Sequence, residues 1–382
     1  MTNMPAAPLS AGDKAVIAAS QLDDLLQVLR KRGFTLIGPM LDNGNLVLAE
    51  LSSSKDLPIG WTDDQEAGTF RLKTRSDQAF FGFAGGQHSW KSFVFLPRRL
   101  LWQTKRQGNS FEILPHQEEA PKFAFVGVRA CDLQAIAVQD RIFSEGQYVE
   151  PVYCSRRQAV FIVAVNCTKA GGTCFCASMG TGPQATSGFD LALTEILSGA
   201  DHYFVVEVGS SRGAEVMPEV PHEAASLEVQ RQAAERVQAA AAQMGRHLDT
   251  TGIKELLYRN YDHPRWEEVA RRCLTCGNCA LVCPTCFCHA IEDSTDLTGQ
   301  LAERWQRWDV CFTVAHSYIH GGSIRSSVKA RYRQWLTHKL ATWIDQFGCS
   351  GCVGCGRCIT WCPVGIDITE EVRAIRESEG KE

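Results

Sequence analysis

Two segments of the chain repeat one cysteine pattern, C-x2-C-x2-C-x3-C-P, and this repeat constrains the fold more than any other feature. The first copy runs from Cys273 to Pro284 and the second from Cys352 to Pro363. This spacing places three thiolates around one face of a cubane [4Fe–4S] cluster. Gly277 and Gly356 permit a tight loop in each copy and bring backbone N–H groups close to the cluster sulfurs. The repeat therefore predicts two cluster-binding loops in the C-terminal third of the chain.

The fourth cysteine of each copy predicts how the two clusters are held. In two-cluster ferredoxins this cysteine ligates the other cluster. By that rule one cluster takes Cys273, Cys276, Cys279 and Cys362, and the second takes Cys352, Cys355, Cys358 and Cys283. Such crossed ligation holds the clusters close enough for an electron to pass between them. A pair of zinc sites is the competing interpretation, but tetrahedral zinc gives no reason for the proline that ends each run.

Composition favours metal or redox chemistry for these cysteines over disulfides. The chain has 382 residues, 17 cysteines and a net charge of -4. It lacks the run of ~20 apolar residues that a membrane span needs, and Met1 to Ser20 lacks the features of a secretory signal. These features predict a cytoplasmic protein with no membrane span, and the charge excludes a strongly basic nucleic-acid binder. In a reducing compartment a cysteine-rich chain binds metal more often than it forms disulfides.

A second group of cysteines lies upstream. Its members are Cys131, Cys167, Cys174 and Cys176. They follow two predicted buried strands, Phe123 to Val128 and Val160 to Val165, so we expect them at the carboxyl ends of neighbouring strands. Three interpretations stay open. The four thiols hold a third [4Fe–4S] cluster, or Cys131 beside Arg129 is a reactive thiolate of low pKa, or the thiols are buried and inert.

Other candidate residues carry weaker signals. Cys286, Cys288, Cys311 and Cys349 are interpreted as packing against a cluster, and Cys154 has no assigned role. A basic run between the cluster motifs comprises Arg325, Lys329, Arg331, Arg333 and Lys339. We expect a solvated helix face there, although cations next to clusters would raise their potentials or dock an acidic partner. His316, His320 and His338 are interpreted as ordinary polar residues. The sequence predicts no catalytic residue and no cofactor-binding motif beyond the cysteines.

The pattern of apolar residues predicts an α+β fold. An N-terminal mixed or parallel α/β portion precedes a C-terminal α-helical ferredoxin-like dicluster domain. We expect an α/β region over 1–120, a small α/β core over 121–225, linker helices over 226–262 and the dicluster domain over 263–382. Helices are predicted over Leu133 to Ile142 and Leu227 to Met244, and helix is expected to fill the gap between the cysteine runs.

Several motifs together resemble one family. They are Asp56 to Gly68, Phe81-Gly82-Phe83, Ser89-Trp90-Lys91, Gly127 to Asp132, Cys167 to Pro183 and the paired cysteine runs. From about Leu22 onwards the chain resembles the beta subunit of cytosolic sulfhydrogenases, which are NAD(P)-linked NiFe hydrogenases. It is similar, more distantly, to a subunit of anaerobic sulfite reductases that has the same layout of motifs.

The resemblance implies an iron–sulfur electron-transfer subunit of a hetero-oligomer. Its partners would be a flavin- and NAD(P)-binding diaphorase subunit, together with the small and large subunits of the hydrogenase. The family's cluster ligands carry over onto the eight cysteines of the two runs. The alternative is the corresponding subunit of an anaerobic sulfite or sulfur reductase, which passes electrons to a sulfur substrate or reduces it directly at the upstream cysteines.

Overall fold

A computed structural model of the chain describes residues 9–116, 119–199 and 201–379. Residues 1–8 of the first predicted region and 380–382 of the last lie outside the described residues. The predicted α+β class is confirmed, because a mixed sheet occupies the N-terminal part and a helical region follows it.

The strands of the described residues fall into four sheets. They are β1 (Lys14–Ala18), β2 (Thr35–Asp42), β3 (Asn45–Glu50), β4 (Trp61–Glu66), β5 (Thr69–Thr74), β6 (Arg98–Gln107), β7 (Ser110–Pro115), β8 (Phe123–Val128), β9 (Phe161–Val165), β10 (Leu191–Ser198), β11 (Asp201–Val208), β12 (Glu223–Ala224), β13 (His289–Thr295), β14 (Leu301–Trp308), β15 (Tyr318–Ile319) and β16 (Gly322–Ser323). The main sheet has the order β12-β1-β11-β10-β9-β8-β2-β3, and β8 pairs in parallel with β2 and β9.

The helices lie on both faces of this sheet and in the C-terminal region. They are α1 (Leu22–Lys31), α2 (Lys91–Val94), α3 (Ala130–Phe143), α4 (Pro151–Ala159), α5 (Ser211–Val216), α6 (Leu227–Ala242), α7 (Ile253–Arg259), α8 (Arg265–Arg272), α9 (Asn278–Leu281), α10 (Val328–Thr337), α11 (Trp343–Phe347), α12 (Arg357–Thr360) and α13 (Ile368–Ser378). A π-helical turn at His338–Thr342 joins α10 to α11. No helix among the described residues is long and apolar enough to cross a membrane.

Strand β8 shows how the main sheet is buried. Its side chains alternate between two cores, with Ala124 and Val126 on the α1 face and Phe125 and Val128 on the α3 face. A parallel strand covered on both faces reads as a continuous apolar run, which is why the sequence predicted β8 and β9 within one residue of their observed bounds. The predicted helices over Leu133 to Ile142 and Leu227 to Met244 correspond to α3 and α6.

The gap between the cysteine runs is only partly helical, so the expectation that helix fills it was wrong. Strands β13 and β14 form a hairpin that pairs with β6, giving the sheet order β13-β14-β6-β7. The Arg304 guanidinium lies 4.9 Å from the ring of Trp102 and also pairs with Asp293. Cross-strand contacts between distant segments stabilise this sheet, and such contacts do not appear in a local helical pattern.

Candidate metal centres

Each cysteine run folds as a left-handed glycine followed by one helical turn. Gly277 (φ +73°) precedes α9, and Gly356 (φ +74°) precedes α12. A Cβ on Gly277 would clash with Cγ2 of Val310, and one on Gly356 would clash with Oγ1 of Thr173. Only glycine fits both the backbone angle and the space, so the two runs adopt the same loop for the same physical reason.

The first run shares a pocket with the last cysteine of the second run. The pocket encloses about 450 Å³, part of it open to solvent, and its lining includes Cys273, Cys276, Cys279 and Cys362. Backbone N–H groups point at two of these sulfurs: Thr275 donates to Cys273 Sγ at 3.4 Å and Ile366 to Cys362 Sγ at 3.3 Å. A fifth thiol, that of Cys358, also borders the pocket. Thiols with N–H donors around one space are the donor set that a [4Fe–4S] cluster takes.

The second run is grouped with the last cysteine of the first. Burial raises the pKa of Cys358 well above its ordinary value, and the neighbouring thiols of Cys352, Cys355 and Cys283 raise it further. These four are the second predicted ligand set. Across the described ranges no three His, Cys, Asp or Glu side chains are grouped as ligands of one metal ion.

The two runs also contact each other directly. Asn278 Nδ2 donates to the backbone oxygen of Trp361, and α9 packs beside α12. On the other side Thr285 Oγ1 donates to the oxygen of Gly351 at 2.7 Å. The structure therefore brings each run's last cysteine to the other run, as the crossed scheme requires.

Comparison with known proteins connects these loops to a family. Residues 272–366, which include both cysteine runs, match the family model described as a 4Fe-4S dicluster domain. Over 290 residues the chain is 32% identical to sulfhydrogenase 2 subunit beta of Pyrococcus furiosus, an alignment that covers 75% of this chain and 82% of that protein. The chain belongs to the sulfhydrogenase beta-subunit family. No solved structure matches it.

Membership in the sulfhydrogenase beta-subunit family fixes the class of chemistry. The family match and the dicluster domain make the chain an iron–sulfur electron-transfer subunit of an oxidoreductase. The resemblance to sulfhydrogenase beta subunits expected from the sequence motifs is confirmed.

Two buried lysines converge on the end of the first run. Lys339 Nζ donates to Cys283 Sγ at 3.1 Å, and the same nitrogen lies 3.6 Å from Cys286 Sγ. Lys91 Nζ donates to the backbone oxygens of Cys283 at 3.0 Å and Cys286 at 3.1 Å. Burial alone would lower the pKa of Lys339, but the thiols of Cys283 and Cys286 outweigh it and hold the pKa well above its ordinary value. In this member of the sulfhydrogenase beta-subunit family, a fixed positive charge therefore lies against a proposed ligand of the second cluster.

The basic run was expected to face solvent, and for its inner members that expectation was wrong. Lys339 and Arg331 are 4% and 7% exposed, whereas the Lys329 side chain is 40% exposed. Arg331 donates to the oxygen of Phe312 at 2.9 Å. Lys339 stands four residues after the buried Trp335, so both residues lie on the apolar side of the helix. This spacing is a sequence signal that Lys339 is buried. A charged residue on an apolar helix face indicates a buried anionic partner.

The upstream cysteines meet as predicted. Strands β8 and β9 are parallel neighbours, and the chain after them carries Cys131, Cys167, Cys174 and Cys176 to one pocket of about 500 Å³, part of it open to solvent. The interpretation of Cys131 as a thiolate of low pKa was wrong. Burial raises the pKa of Cys131 well above its ordinary value, and Asp132 raises it further.

Two of the remaining cysteines lie beside proposed ligands, because the Cys286 thiol is hydrogen-bonded to Cys283 and the Cys311 thiol helps to raise the pKa of Cys279. Cys286 and Cys311 pack against the C-terminal core. Cys154 Sγ contacts the Ser144 hydroxyl at 3.3 Å, away from both runs. His316 Nδ1 lies 2.8 Å from Asp309 Oδ2, and a hydrogen bond to Cys288, followed by this carboxylate, raises the pKa of His316 to about 9.

Proposed function

We propose that the chain relays single electrons through two [4Fe–4S] clusters held by crossed ligation. Cys273, Cys276, Cys279 and Cys362 hold the first, and Cys352, Cys355, Cys358 and Cys283 hold the second. When bound, each cluster supplies one-electron chemistry by cycling between two oxidation states. The observation that carries this proposal is the pocket in which Cys362 joins the three cysteines of the distant first run.

The chain's own residues fix the path of the electron. Asn278 of the first run donates to the Trp361 backbone oxygen of the second, so the fold would set the distance between two clusters held by crossed ligation. At the outer end of the path, Cys276 is exposed and Leu274, also in the pocket lining, is 62% exposed. A cluster held by the first ligand set would therefore lie nearest this surface. Cys283 and Lys339 lie at the inner end, away from solvent.

Variants with single alanine substitutions test the crossed ligation. Cys362→Ala and Cys273→Ala should leave the same residual EPR spectrum after reduction, because both remove a ligand of the first cluster. Cys283→Ala and Cys352→Ala should form a second matching pair. Cys154→Ala is the matched control and should leave the spectrum unchanged. If Cys362→Ala instead matches Cys352→Ala, each run holds its own cluster and the crossed assignment is wrong.

The proposed partners are a flavin- and NAD(P)-binding diaphorase subunit, together with the small and large subunits of a cytoplasmic NiFe hydrogenase. The support is the family relationship to a protein named as a sulfhydrogenase subunit. NAD(P)H delivers two electrons as a hydride, so a flavin must divide them before the chain can accept them singly. The chain then carries them toward the hydrogenase small subunit, or in the reverse direction.

Incubation of the full chain with NADPH or NADH tests whether a flavin protein is needed to deliver single electrons to it. We expect no bleaching of the iron–sulfur absorbance with the chain alone, and bleaching when a flavin-containing diaphorase subunit from the same cells is added. Bleaching by NADPH without any flavin protein would contradict the proposal. Affinity purification from the native cells should bring down hydrogenase subunits; a sirohaem-containing reductase instead would favour the sulfite reductase alternative.

A further inference from the structure

The upstream cysteines line a pocket that lies mostly outside the dicluster domain. It lies between α3 and the loop that follows β9, and residues 272–366 contribute only its inner wall. Four thiols reach it from three backbone segments: Cys131 from the first turn of α3, Cys167 from the end of β9, and Cys174 with Cys176 from the next loop. Four convergent thiols in one pocket form the complete donor set of a cubane cluster.

Charge around the pocket fits an anionic occupant. Arg129 and Arg357 line it and are 4% and 8% exposed, and Lys169 lies at its rim. Arg357 is already paired with a buried carboxylate at 2.9 Å, so Arg129 is the main buried cation that faces the occupant. Arg129 donates to the backbone oxygens of Phe81 at 3.0 Å and Phe83 at 2.5 Å, which holds the guanidinium in place. A cluster with four thiolate ligands is negatively charged, and buried cations offset the cost of removing that charge from water.

The pocket directly adjoins the second cysteine run. Cys355 of that run is part of its lining, and Cys174 Sγ lies 3.8 Å from the Cys355 oxygen. The N–H of Phe175 donates to the oxygen of Gly354 at 2.8 Å, and a Cβ on Gly354 would lie 2.6 Å from the nitrogen of Cys176. The two loops therefore pack with backbone against backbone, with no room for a side chain at Gly354.

We infer that Cys131, Cys167, Cys174 and Cys176 bind a third [4Fe–4S] cluster, which extends the relay from the second cluster to the pocket mouth at Lys169. Each thiol releases its proton on ligation, and iron and sulfide are supplied by cluster assembly. In relay, one electron enters this site from the second cluster and one leaves at the mouth, or the reverse. The inference goes beyond the two-cluster function and does not depend on the crossed ligation.

Iron and acid-labile sulfide of the full chain, reconstituted anaerobically with ferrous iron and sulfide, test the inference. We expect about twelve iron atoms per chain, against about eight for two clusters alone. Cys131→Ala and Cys174→Ala should each lose about four iron atoms and the same EPR component, whereas Cys154→Ala should lose none. The signals that vanish in Cys273→Ala and Cys352→Ala should persist in both upstream variants.

The outcomes separate this inference from the two-cluster relay. About eight iron atoms in the unaltered chain, unchanged in Cys174→Ala, would overturn the third cluster and leave the relay intact. Zinc bound at the upstream thiols in place of iron would overturn it as well. Because the iron content of the unaltered chain already decides the question, a variant that fails to fold does not remove the test.

Discussion

Arg357 and Asp132 form a buried ion pair between residues 225 positions apart in the sequence. Arg357 Nη1 lies 2.9 Å from Asp132 Oδ1, and Nη2 donates to Oδ2 at 3.2 Å. The shorter contact is not aligned as a hydrogen bond, so the attraction along it is coulombic. Arg357 belongs to the second cysteine run and Asp132 follows Cys131, so the pair ties the dicluster loops to the upstream thiols.

Asp132→Asn should destabilise the protein by about 3 to 5 kcal/mol, because it leaves the Arg357 charge buried without its partner. Asp64→Asn is the matched control, since Asp64 pairs with Lys73 through side chains more than half exposed, and such pairs contribute about 1 kcal/mol or less. Denaturant unfolding of the cluster-loaded protein measures both. Equal losses in the two variants would contradict a special role for the buried pair.

Lys339→Met should make the reduction potential of the second cluster more negative. The ammonium group favours the reduced state, which carries one more negative charge, and it donates to Cys283 Sγ. Loss of a charged hydrogen bond worth about 1.5 to 3 kcal/mol corresponds to roughly 60 mV or more for one electron. An EPR-monitored redox titration measures the shift. Lys329→Met is the control, because the Lys329 side chain is 40% exposed, and it should leave the potential unchanged. A similar shift in this variant would contradict the role of the buried Lys339 charge.

The free energy of unfolding should fall as the pH rises from about 6.5 to 9, because His316 loses its proton over that range. A hydrogen bond to Cys288, followed by the carboxylate of Asp309, raises the pKa of His316 to about 9 in the folded state. Because the pKa of His316 is higher in the folded state than in the unfolded chain, where it is near 6.5, the protonated side chain stabilises the fold. This contribution is fully present below pH 6.5 and is lost as the pH rises through 9. Because the side chain is 24% exposed, we expect about 1 to 2 kcal/mol. The difference between the unaltered chain and His316→Gln, measured by unfolding from pH 6 to 9, should shrink by that amount; a constant difference would refute the assignment.

Gly354→Ala should cost far more stability than Gly348→Ala. Both glycines have left-handed backbones, with φ +64° and +68°, so the conformational cost of about 1 kcal/mol is shared. A Cβ at Gly354 meets the Cys176 nitrogen at 2.6 Å, whereas one at Gly348 meets nothing within 4 Å. Thermal unfolding should show an additional loss of about 1 to 3 kcal/mol for Gly354→Ala, typical of overpacking. Equal melting temperatures would show that the two loops separate easily.

Local patterns were enough to predict much of the fold and the loops of the two cysteine runs. The parallel strands β8 and β9 were predictable because strands buried on both faces are uniformly apolar. The spacing in the two cysteine runs predicted their loops because three thiolates around a cubane need that short, glycine-containing segment. The convergence of Cys131 with Cys167 followed from their places after parallel neighbouring strands.

Contacts between segments far apart in the chain could not be predicted from local sequence patterns. The β13–β14 hairpin gains its stability from β6, whose residues lie about two hundred positions earlier, so no local pattern distinguished it from the expected helix. The buried state of Lys339 and the pairing of Arg357 with Asp132 depend on which segments meet in space. A charge is interpreted as solvated unless its partner is known, and these partners lie in other elements.

The EPR spectrum of the fully reduced chain tests the central claim most directly. If crossed ligation holds two [4Fe–4S] clusters side by side in the dicluster domain, the reduced spectrum should show broad, split features from magnetic coupling between them. The spectrum of Cys273→Ala should lose that coupling between the two dicluster signals. Two sharp, independent signals in the unaltered chain, or zinc in place of iron, would contradict the account.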